Sequence, residues 1–256
     1  AMCWSARRTR TLLLLGVFLA PGWDLEAQDQ PTFQVDLEAG PVWQTRNDVQ
    51  IPNDELGTRY SLEDLAGRGP WVTGRLYLTW NVNQKHAIRI LLAPLTIEES
   101  ASVDEPISFA GGLFEPGEPL TATYRFNSWR IGYQYLFLER RRVDLRVGFT
   151  AKLRDAKVAL QQGDVARKDT DLGFVPLLHL SGVWHVRDRV HFSFDFDGLA
   201  GGPGRAFDVG LKVGYDLSDR WRVGGGYRTL EGGADVESVY NFAWLHYGVV
   251  SLTFFR

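Results

Sequence analysis

The feature that most constrains this chain is a strict two-residue alternation between Phe207 and Tyr227, FDVGLKVGYDLSDRWRVGGGY. Apolar side chains from Phe207 to Leu217 alternate with charged residues or glycine, and the alternation resumes after Ser218-Asp219. Period two puts the two sets on opposite faces of a β-strand, so the segment predicts a hairpin that turns at Ser218-Asp219. Aromatic residues mark the ends of the apolar face, whereas the polar face mixes both charge signs with glycine. This arrangement favours strands with lipid outside and a polar lumen inside.

The N-terminal segment has the organisation of a secretory signal peptide. Three arginines within Arg7–Arg10 precede the apolar run Leu12–Ala20, and a polar stretch follows that ends at Ala27. The run is too short to cross a bilayer as a helix, which needs about 20 apolar residues. We therefore predict a signal peptide over residues 1–27 and one mature domain over residues 28–256, beginning at Gln28. A buried N-terminal helix is the alternative interpretation.

The composition removes several classes of function. Cys3 is the only cysteine and lies inside the predicted signal peptide, so the mature chain has no thiol for a disulfide, a metal site or nucleophilic catalysis. The net charge of −3 gives no reason to expect a nucleic-acid partner. No further apolar run is long enough for a membrane helix, so any spanning segment must be a β-strand. We expect no cofactor.

The same alternation recurs along the chain and predicts about ten strands, an even number. The predicted strands are Gln34–Gln44, Val72–Val82, His86–Ile97, Thr121–Leu138, Val143–Leu160, Leu172–Val186, Val190–Gly198, the two strands of the hairpin above, and Asn241–Phe255. Short turns are expected near Gln84, Arg140, Asp188 and Asp219, and longer polar loops near Asn53, Gly111, Asp164, Gly202 and Gly233. This alternation of short and long connections predicts an all-β, transmembrane, antiparallel up-and-down barrel with its short turns in the periplasm.

Outward-facing aromatic residues are expected to form one belt at each membrane interface. The belt near the short turns comprises Trp80, Phe137, Trp184, Tyr215, Trp221 and Phe254. The belt near the longer loops comprises Trp43, Phe174, Phe196, Phe207, Tyr227 and Trp244.

From Gln34 to its end, the chain resembles the monomeric outer-membrane β-barrel proteins of Gram-negative bacteria. The local signature is the terminal strand W-L-H-Y-G-V-V-S-L-T-F-F-R, in which Val250, Leu252 and Phe254 alternate up to an aromatic residue near the end. The family usually ends on the aromatic residue itself, whereas here Phe255 and Arg256 follow. The resemblance implies a monomer in the cell outer membrane, in contact with its lipids and lipopolysaccharide. It also implies insertion by the barrel assembly machinery, which reads such a terminal strand.

The inward positions carry many charges of both signs. The predicted luminal charge network comprises Arg75, Arg130, Arg146, Lys152, Arg154, Asp208, Lys212, Asp216, Arg222 and Arg228. The strand His86–Ile97 is apolar on both faces, and we assign its luminal face to Arg89. A barrel of about eight strands is already filled by its side chains, so we expect the charges to form a salt-bridged plug. The turn at Ser218-Asp219 sets Asp216 opposite Arg222.

A smaller patch of luminal residues allows a catalytic hypothesis. The turn near Asp188 pairs His179 with Asp197, Ser181 with Asp195, and His185 with His191. The spacing His179-x-Ser181 resembles that of outer-membrane lipid A deacylases, although their pair faces lipid, and two acids beside a histidine resemble the omptin proteases. Residues two apart on a strand lie roughly 6.6 Å apart along it, so we expect a structural patch in which Asp197 holds His179 alone. Two histidines are too few ligands for a closed metal site.

These observations predict a narrow, porin-like barrel with a structural or passive surface role, or a small-solute pore. The alternative function is a membrane-embedded hydrolase that uses the His179, Ser181, Asp195 and Asp197 patch. A soluble lipocalin-like carrier is a third possibility, but it would place its apolar residues inside and its charges outside.

Overall fold

The computed structural model describes residues 30–202 and 204–256, which form a closed antiparallel barrel of ten strands. The elements are β1 (Phe33–Gln50), β2 (Tyr60–Ser61), α1 (Leu62–Leu65), β3 (Trp71–Asn81), β4 (His86–Ala93), β5 (Thr96–Ser102), β6 (Ile107–Phe109), β7 (Gly112–Phe114), β8 (Pro119–Arg140), β9 (Val143–Gln162), β10 (Val165–Arg187), β11 (Val190–Gly201), β12 (Gly204–Ser218), β13 (Trp221–Val236) and β14 (Val239–Phe255). The predicted fold class is therefore confirmed. The predicted signal peptide lies outside the described residues.

Closure follows from the pairing of the last strand with the first. Strand β14 pairs with β1 over most of its length, with Phe254 opposite Val35 and Tyr240 opposite Gln50. Every other barrel strand pairs with its neighbours in sequence, and β4 and β5 together act as one strand because both pair with β8. This pairing closes the ring of ten strands, which is the condition for a β-structure to survive in lipid.

The two faces of the wall follow the predicted inside-out distribution. Phe149, Phe174 and Val250 on the outer face expose 67%, 68% and 69% of their surface, whereas the luminal Asp208 and Arg228 expose 3% and 2%. Aromatic rings meet at both levels of the exterior: Trp221 lies 4.9 Å from Phe254 near the short turns, and Trp43 lies 6.4 Å from Tyr227 near the other end. An apolar exterior bounded by aromatic rings is what a lipid environment requires.

Several strands run further than the sequence predicted at the end opposite the short turns. The predicted loops 161–170, 199–204 and 231–238 are mostly strand, with tight turns at Gly163-Asp164, around Gly202 and at Glu237-Ser238. These predictions were wrong because strand ends that meet water on both faces lose the apolar alternation while keeping their ladder hydrogen bonds. Long connections remain only between β1 and β3 and between β5 and β8.

Those two connections fold inward and close the long-loop end of the barrel. Helix α1 begins at Ser61, whose hydroxyl accepts from the amide of Glu63 at 3.2 Å, and it buries Leu62 and Leu65. The hairpin β6–β7 buries Phe109 and Phe114 beside them. With inward residues of the wall they form an apolar cluster, called here the outer core: Val42, Val49, Ile51, Tyr60, Leu62, Leu65, Ala66, Leu95, Ile97, Val103, Ile107, Phe109, Phe114, Leu120, Ala122, Tyr124, Val158, Leu160, Leu230, Ala243, Leu245, Tyr247 and Val249.

The outer core explains two local features. The segment His86–Ile97 is apolar on both faces because its inward residues Leu95 and Ile97 pack into this cluster. Burial also raises the pKa of the Tyr60 hydroxyl, since a phenolate there would lose its hydration. Among the described residues, no helix is long and apolar enough to cross a membrane.

Candidate functional site

The lumen has three levels between the long-loop end and the short-turn end. The outer core fills the first level. The second is a layer of buried charges, called here the ion network, that comprises Asp36, Glu38, Arg75, Arg89, Arg130, Asp195, Asp197, Asp208, Lys212 and Arg228. The third is a polar cavity of about 940 Å³, called here the vestibule. Its lining includes residues of three short turns, Arg141, Asp188 and Asp219 among them, so it opens at the short-turn end.

Asp208 is the centre of the ion network. Its carboxylate accepts from Arg75 Nη2 at 2.7 Å, Arg130 Nη2 at 2.6 Å and Arg228 Nη1 at 2.6 Å. All four side chains expose 5% or less of their surface. Charges removed from water are tolerated when they are paired and hydrogen-bonded in this way.

The remaining members close the network around this centre. Lys212 Nζ lies 2.6 Å from Asp36 and 2.8 Å from Glu38, and Glu38 also lies 3.4 Å from Arg228 Nε. Across the lumen, Arg89 bonds Asp195 at 2.5 Å. The network therefore contains three arginines around Asp208, one further arginine and one lysine against five carboxylates, and its formal charge sums to zero.

Glycine makes room for this layer. Gly210 lies opposite Arg228 in the β12–β13 register, and a Cβ at Gly210 would lie 2.6 Å from the guanidinium Nη2. Any side chain at this position would displace the arginine from Asp208. Two further glycines allow close approach between strands β12, β13 and β14: a Cβ at Gly224 would lie 2.7 Å from Ser251 Oγ, and one at Gly226 would lie 2.0 Å from the Leu211 carbonyl oxygen.

The structure separates the residues predicted as one luminal network into several places. Arg75, Arg130, Asp208, Lys212 and Arg228 belong to the ion network. Lys152 is buried beside it, opposite Arg130, with its ammonium 4.6 Å from the Phe126 ring centre. Arg146, Asp216 and Arg222 line the vestibule, where Arg222 Nε bonds Asp216 at 2.6 Å. Arg154 lies nearer the long-loop end, where it forms an ion pair with the half-exposed Asp171.

The His179 patch departs from its predicted geometry. The predicted cross-strand pairs are present, with His179 opposite Asp197 and Ser181 opposite Asp195. The expectation that Ser181 lies out of reach was wrong: His179 Nε2 lies 2.9 Å from Ser181 Oγ, and His179 Nδ1 lies 2.8 Å from Asp197 Oδ1. The backbone rise separates the two residues along β10, but the length of the imidazole side chain spans that separation. Asp195, by contrast, forms an ion pair with Arg89.

A pair of histidines, His185 and His191, lines the vestibule. His185 Nδ1 lies 2.9 Å from His191 Nδ1, and the outer nitrogens of the two rings reach Asp144 and Asp216 respectively. No group of three or more histidine, cysteine or acidic side chains suited to a metal ion occurs in residues 30–202 and 204–256.

Sequence reasoning missed the outer core and the polar residues that complete the buried layers. Tyr77 OH bridges Arg75 Nε at 3.0 Å and Glu38 at 3.3 Å, and Thr150 Oγ1 donates to Asp197 at 2.9 Å. The partners of Tyr77 lie on its own strand and on the adjacent β1, whereas Asp197 lies on β11, two strands away from Thr150 on β9. Alternation gives the face of each residue but not the reach of its side chain, so it does not reveal these contacts.

Comparison with known proteins identifies the fold. No family model matches the chain, and no curated protein matches it. The outer membrane protease OmpT from Escherichia coli superimposes with a TM-score of 0.52 at 9% identity, over 88% of this chain and 96% of that one.

This chain has the fold of the outer-membrane β-barrels of Gram-negative bacteria.

Two further solved barrels match at lower scores. Neisserial surface protein A gives a TM-score of 0.37 at 11% identity, over 88% of this chain and 97% of that one. The Ail protein of Yersinia pestis gives 0.36 at 8% identity, over 87% and 99%. The predicted outer-membrane location is confirmed by the fold. Since such barrels have their short turns in the periplasm, we expect the short-turn end to face that side. Identities this low say nothing about activity.

Proposed function

We propose that this protein is a closed outer-membrane barrel with a structural or surface role, and that it is not a diffusion pore. The observation that supports the proposal is the double filling of the lumen, by the outer core at one level and the ion network at the next. Between them lies a cavity of about 10 Å³, lined by Arg75, Phe126, Ser128 and Tyr247 among others, which is room for about one water molecule.

Ion passage would have to break both layers. The outer core excludes water because its side chains are apolar and buried, so an ion there would lose its hydration without gaining ligands. The ion network holds its charges against fixed partners at 2.5 to 2.8 Å, as in Arg89–Asp195 and Lys212–Glu38. Neither layer offers a continuous aqueous path. Helix α1 and the hairpin β6–β7 also fold into the long-loop end of the barrel and cover its opening.

Planar-bilayer conductance tests the proposal. We expect the purified protein to produce no steady current above the lipid baseline, in contrast to a 16-strand porin, whose lumen is an aqueous channel. Replacing residues 104–118 by a short linker removes β6–β7 and should raise conductance only if Asp208→Asn is also present, because each layer blocks by itself. A stable wild-type conductance in the porin range would overturn the proposal in favour of a solute pore.

A further inference from the structure

Ser181, His179 and Asp197 form a hydrogen-bonded chain with the connectivity of a nucleophile, a base and an orienting acid. Ser181 Oγ lies 2.9 Å from His179 Nε2, and Asp197 Oδ1 lies 2.8 Å from His179 Nδ1. Both distances fall within the range of about 2.6–3.2 Å that proton transfer from a nucleophile to its base requires. The distances between the three residues therefore permit proton transfer, which a purely structural patch would not require.

The surroundings of Asp197 determine which ring nitrogen carries the proton. Arg130 Nη1 donates to Asp197 at 2.8 Å and Thr150 Oγ1 donates at 2.9 Å, so the carboxylate is held as an acceptor. An acceptor at this place takes the proton of His179 Nδ1, which leaves Nε2 as an acceptor that the Ser181 hydroxyl and the Gln134 amide share, each at 2.9 Å. This is the tautomer in which histidine accepts the proton of a serine hydroxyl.

Ser181 also faces space that a substrate can enter. His179 and Asp197 each expose 1% of their surface, whereas Ser181 is half-buried and lines the vestibule. Access is from the periplasmic side, because the outer core and the ion network close the other direction.

Two donors lie next to the serine. Arg146 is the cross-strand neighbour of Ser181, and its Nη1 is buried without a hydrogen-bond partner among the described residues. The second, Gln134 Nε2, donates to His179 Nε2 at 2.9 Å, so it holds the imidazole beside Ser181 while Arg146 is the donor left for a substrate. Donors that are fixed beside a nucleophile can stabilise the oxyanion that forms when it attacks a carbonyl group.

We propose that the vestibule is the active site of an acyl hydrolase in which Ser181 is the nucleophile, His179 the base and Asp197 a positioning residue. Ser181 Oγ bonds to the carbonyl carbon of an ester while its proton passes to His179 Nε2. The carbon–oxygen bond to the alcohol breaks, and the alcohol leaves with that proton. Water then attacks the acyl-serine, His179 takes its proton and returns it to Ser181 Oγ, and the acid is released.

The vestibule selects the class of ester. The vestibule lining carries nine arginine or lysine side chains against seven aspartate or glutamate side chains, a formal net charge of +2. Four of the arginines, Arg141, Arg142, Arg187 and Arg189, lie at the mouth and form no ion pair within the part of the chain that the structure describes. The lining is polar, and the cavity of about 940 Å³ has the size of a small-molecule site. The substrate is therefore a water-soluble ester that carries negative charge and reaches the site from the periplasm.

Labelling with a fluorophosphonate, a general probe of activated serines, tests the proposal in the folded, detergent-solubilised protein. We expect one labelled peptide, containing Ser181, and no label in Ser181→Ala. His179→Gln should lower the labelling rate at least about 100-fold, since general-base catalysis contributes 10²–10⁴-fold. Ser193→Ala is the matched control, because Ser193 lines the same vestibule on β11 outside the chain of hydrogen bonds, and it should label like wild type.

The difference between unheated and boiled electrophoretic bands confirms that each variant is folded. Absence of label on folded wild-type protein, or equal labelling of Ser181 and Ser193, would overturn the proposal. Neither result would affect the proposal that the barrel is closed and does not conduct, so the two proposals can be refuted separately.

Hydrolysis of nitrophenyl esters separates positioning from folding. Asp197→Asn should lower kcat per folded barrel at least about 100-fold with KM unchanged, because the asparagine no longer fixes the imidazole tautomer. A purely structural Asp197 would lower the folded fraction and leave kcat per folded barrel at the wild-type value. Nitrophenyl succinate, an anion, should have a higher kcat/KM than neutral nitrophenyl acetate at low salt, and the ratio should fall as salt rises. Equal values for the two esters at all salt concentrations would overturn the assigned substrate class.

Discussion

Replacing Asp208 by asparagine removes the central acceptor of the ion network while keeping its shape. Three guanidinium groups, those of Arg75, Arg130 and Arg228, reach Asp208 within 2.7 Å, and none exposes more than 5% of its surface. The network changes from neutral to one uncompensated positive charge in a place that water does not reach. Breaking a buried ion pair by removing one partner costs about 3–5 kcal/mol. Since 1.4 kcal/mol is a factor of ten, the folded-to-unfolded ratio should fall by about two to three and a half orders of magnitude.

Equilibrium unfolding in guanidinium, with the barrel in phospholipid vesicles and followed by tryptophan fluorescence, measures this change. Asp171→Asn is the matched control, because it removes the same charge from a pair in which Asp171 is 48% exposed. An exposed pair contributes about 0.2–1 kcal/mol. The double variant Asp208→Asn/Arg228→Gln restores neutrality and should lose less than the sum of its single variants, with a coupling of about 0.5–3 kcal/mol. If Asp208→Asn costs no more than Asp171→Asn, the ion network does not support the barrel.

Three further outcomes follow from the packing of the barrel. The protein should migrate as a compact band in SDS until it is boiled, because the pairing of β14 with β1 closes the ring of strands. Identical migration before and after boiling would contradict a closed barrel. Gly210→Ala should lose about 1–3 kcal/mol in the same unfolding assay, because its Cβ meets Arg228 at 2.6 Å, whereas Gly201→Ala, with nothing within 4 Å, should be close to neutral. Phe109→Ala in the outer core should lower the free energy of unfolding by about 3–5 kcal/mol, more than the control Phe174→Ala on the exposed face. If Phe109→Ala lowered it less than Phe174→Ala, the outer core would not be packed.

The wall of the barrel was predictable because alternation is a local property. Along β12, odd and even positions alternate between the lipid face and the luminal face. The structure accordingly buries Asp208 and exposes Leu211 and Val213. Parity fails where the environment changes. Beyond the membrane, residues 165–170 at the start of β10 pair with β9 but are mostly exposed on both faces, so the sequence pattern there is that of a loop.

The sequence predicted which charged residues face the lumen, but not which of them contact each other. Alternation assigns Arg75 and Asp208 to the lumen, but their contact joins strands that are 133 residues apart and not adjacent in the sheet. Such a contact depends on strand tilt and closure, which no local pattern records. The reach of His179 to Ser181 was missed for another reason: the spacing along a strand gives the distance between backbones, whereas the side chains decide whether two groups meet.

The central claim is that the lumen is closed in its middle and accessible only from the periplasm. Single cysteines introduced into a Cys3→Ser background test it directly with a charged, membrane-impermeant maleimide in porin-deficient cells. Ser193→Cys, in the vestibule, should stay unmodified in intact cells and react once the outer membrane is opened. Ala122→Cys, in the outer core, should react in neither case until the barrel is unfolded. Modification of Ser193→Cys in intact cells, at the rate seen after opening, would show a continuous path through the lumen and would contradict the account.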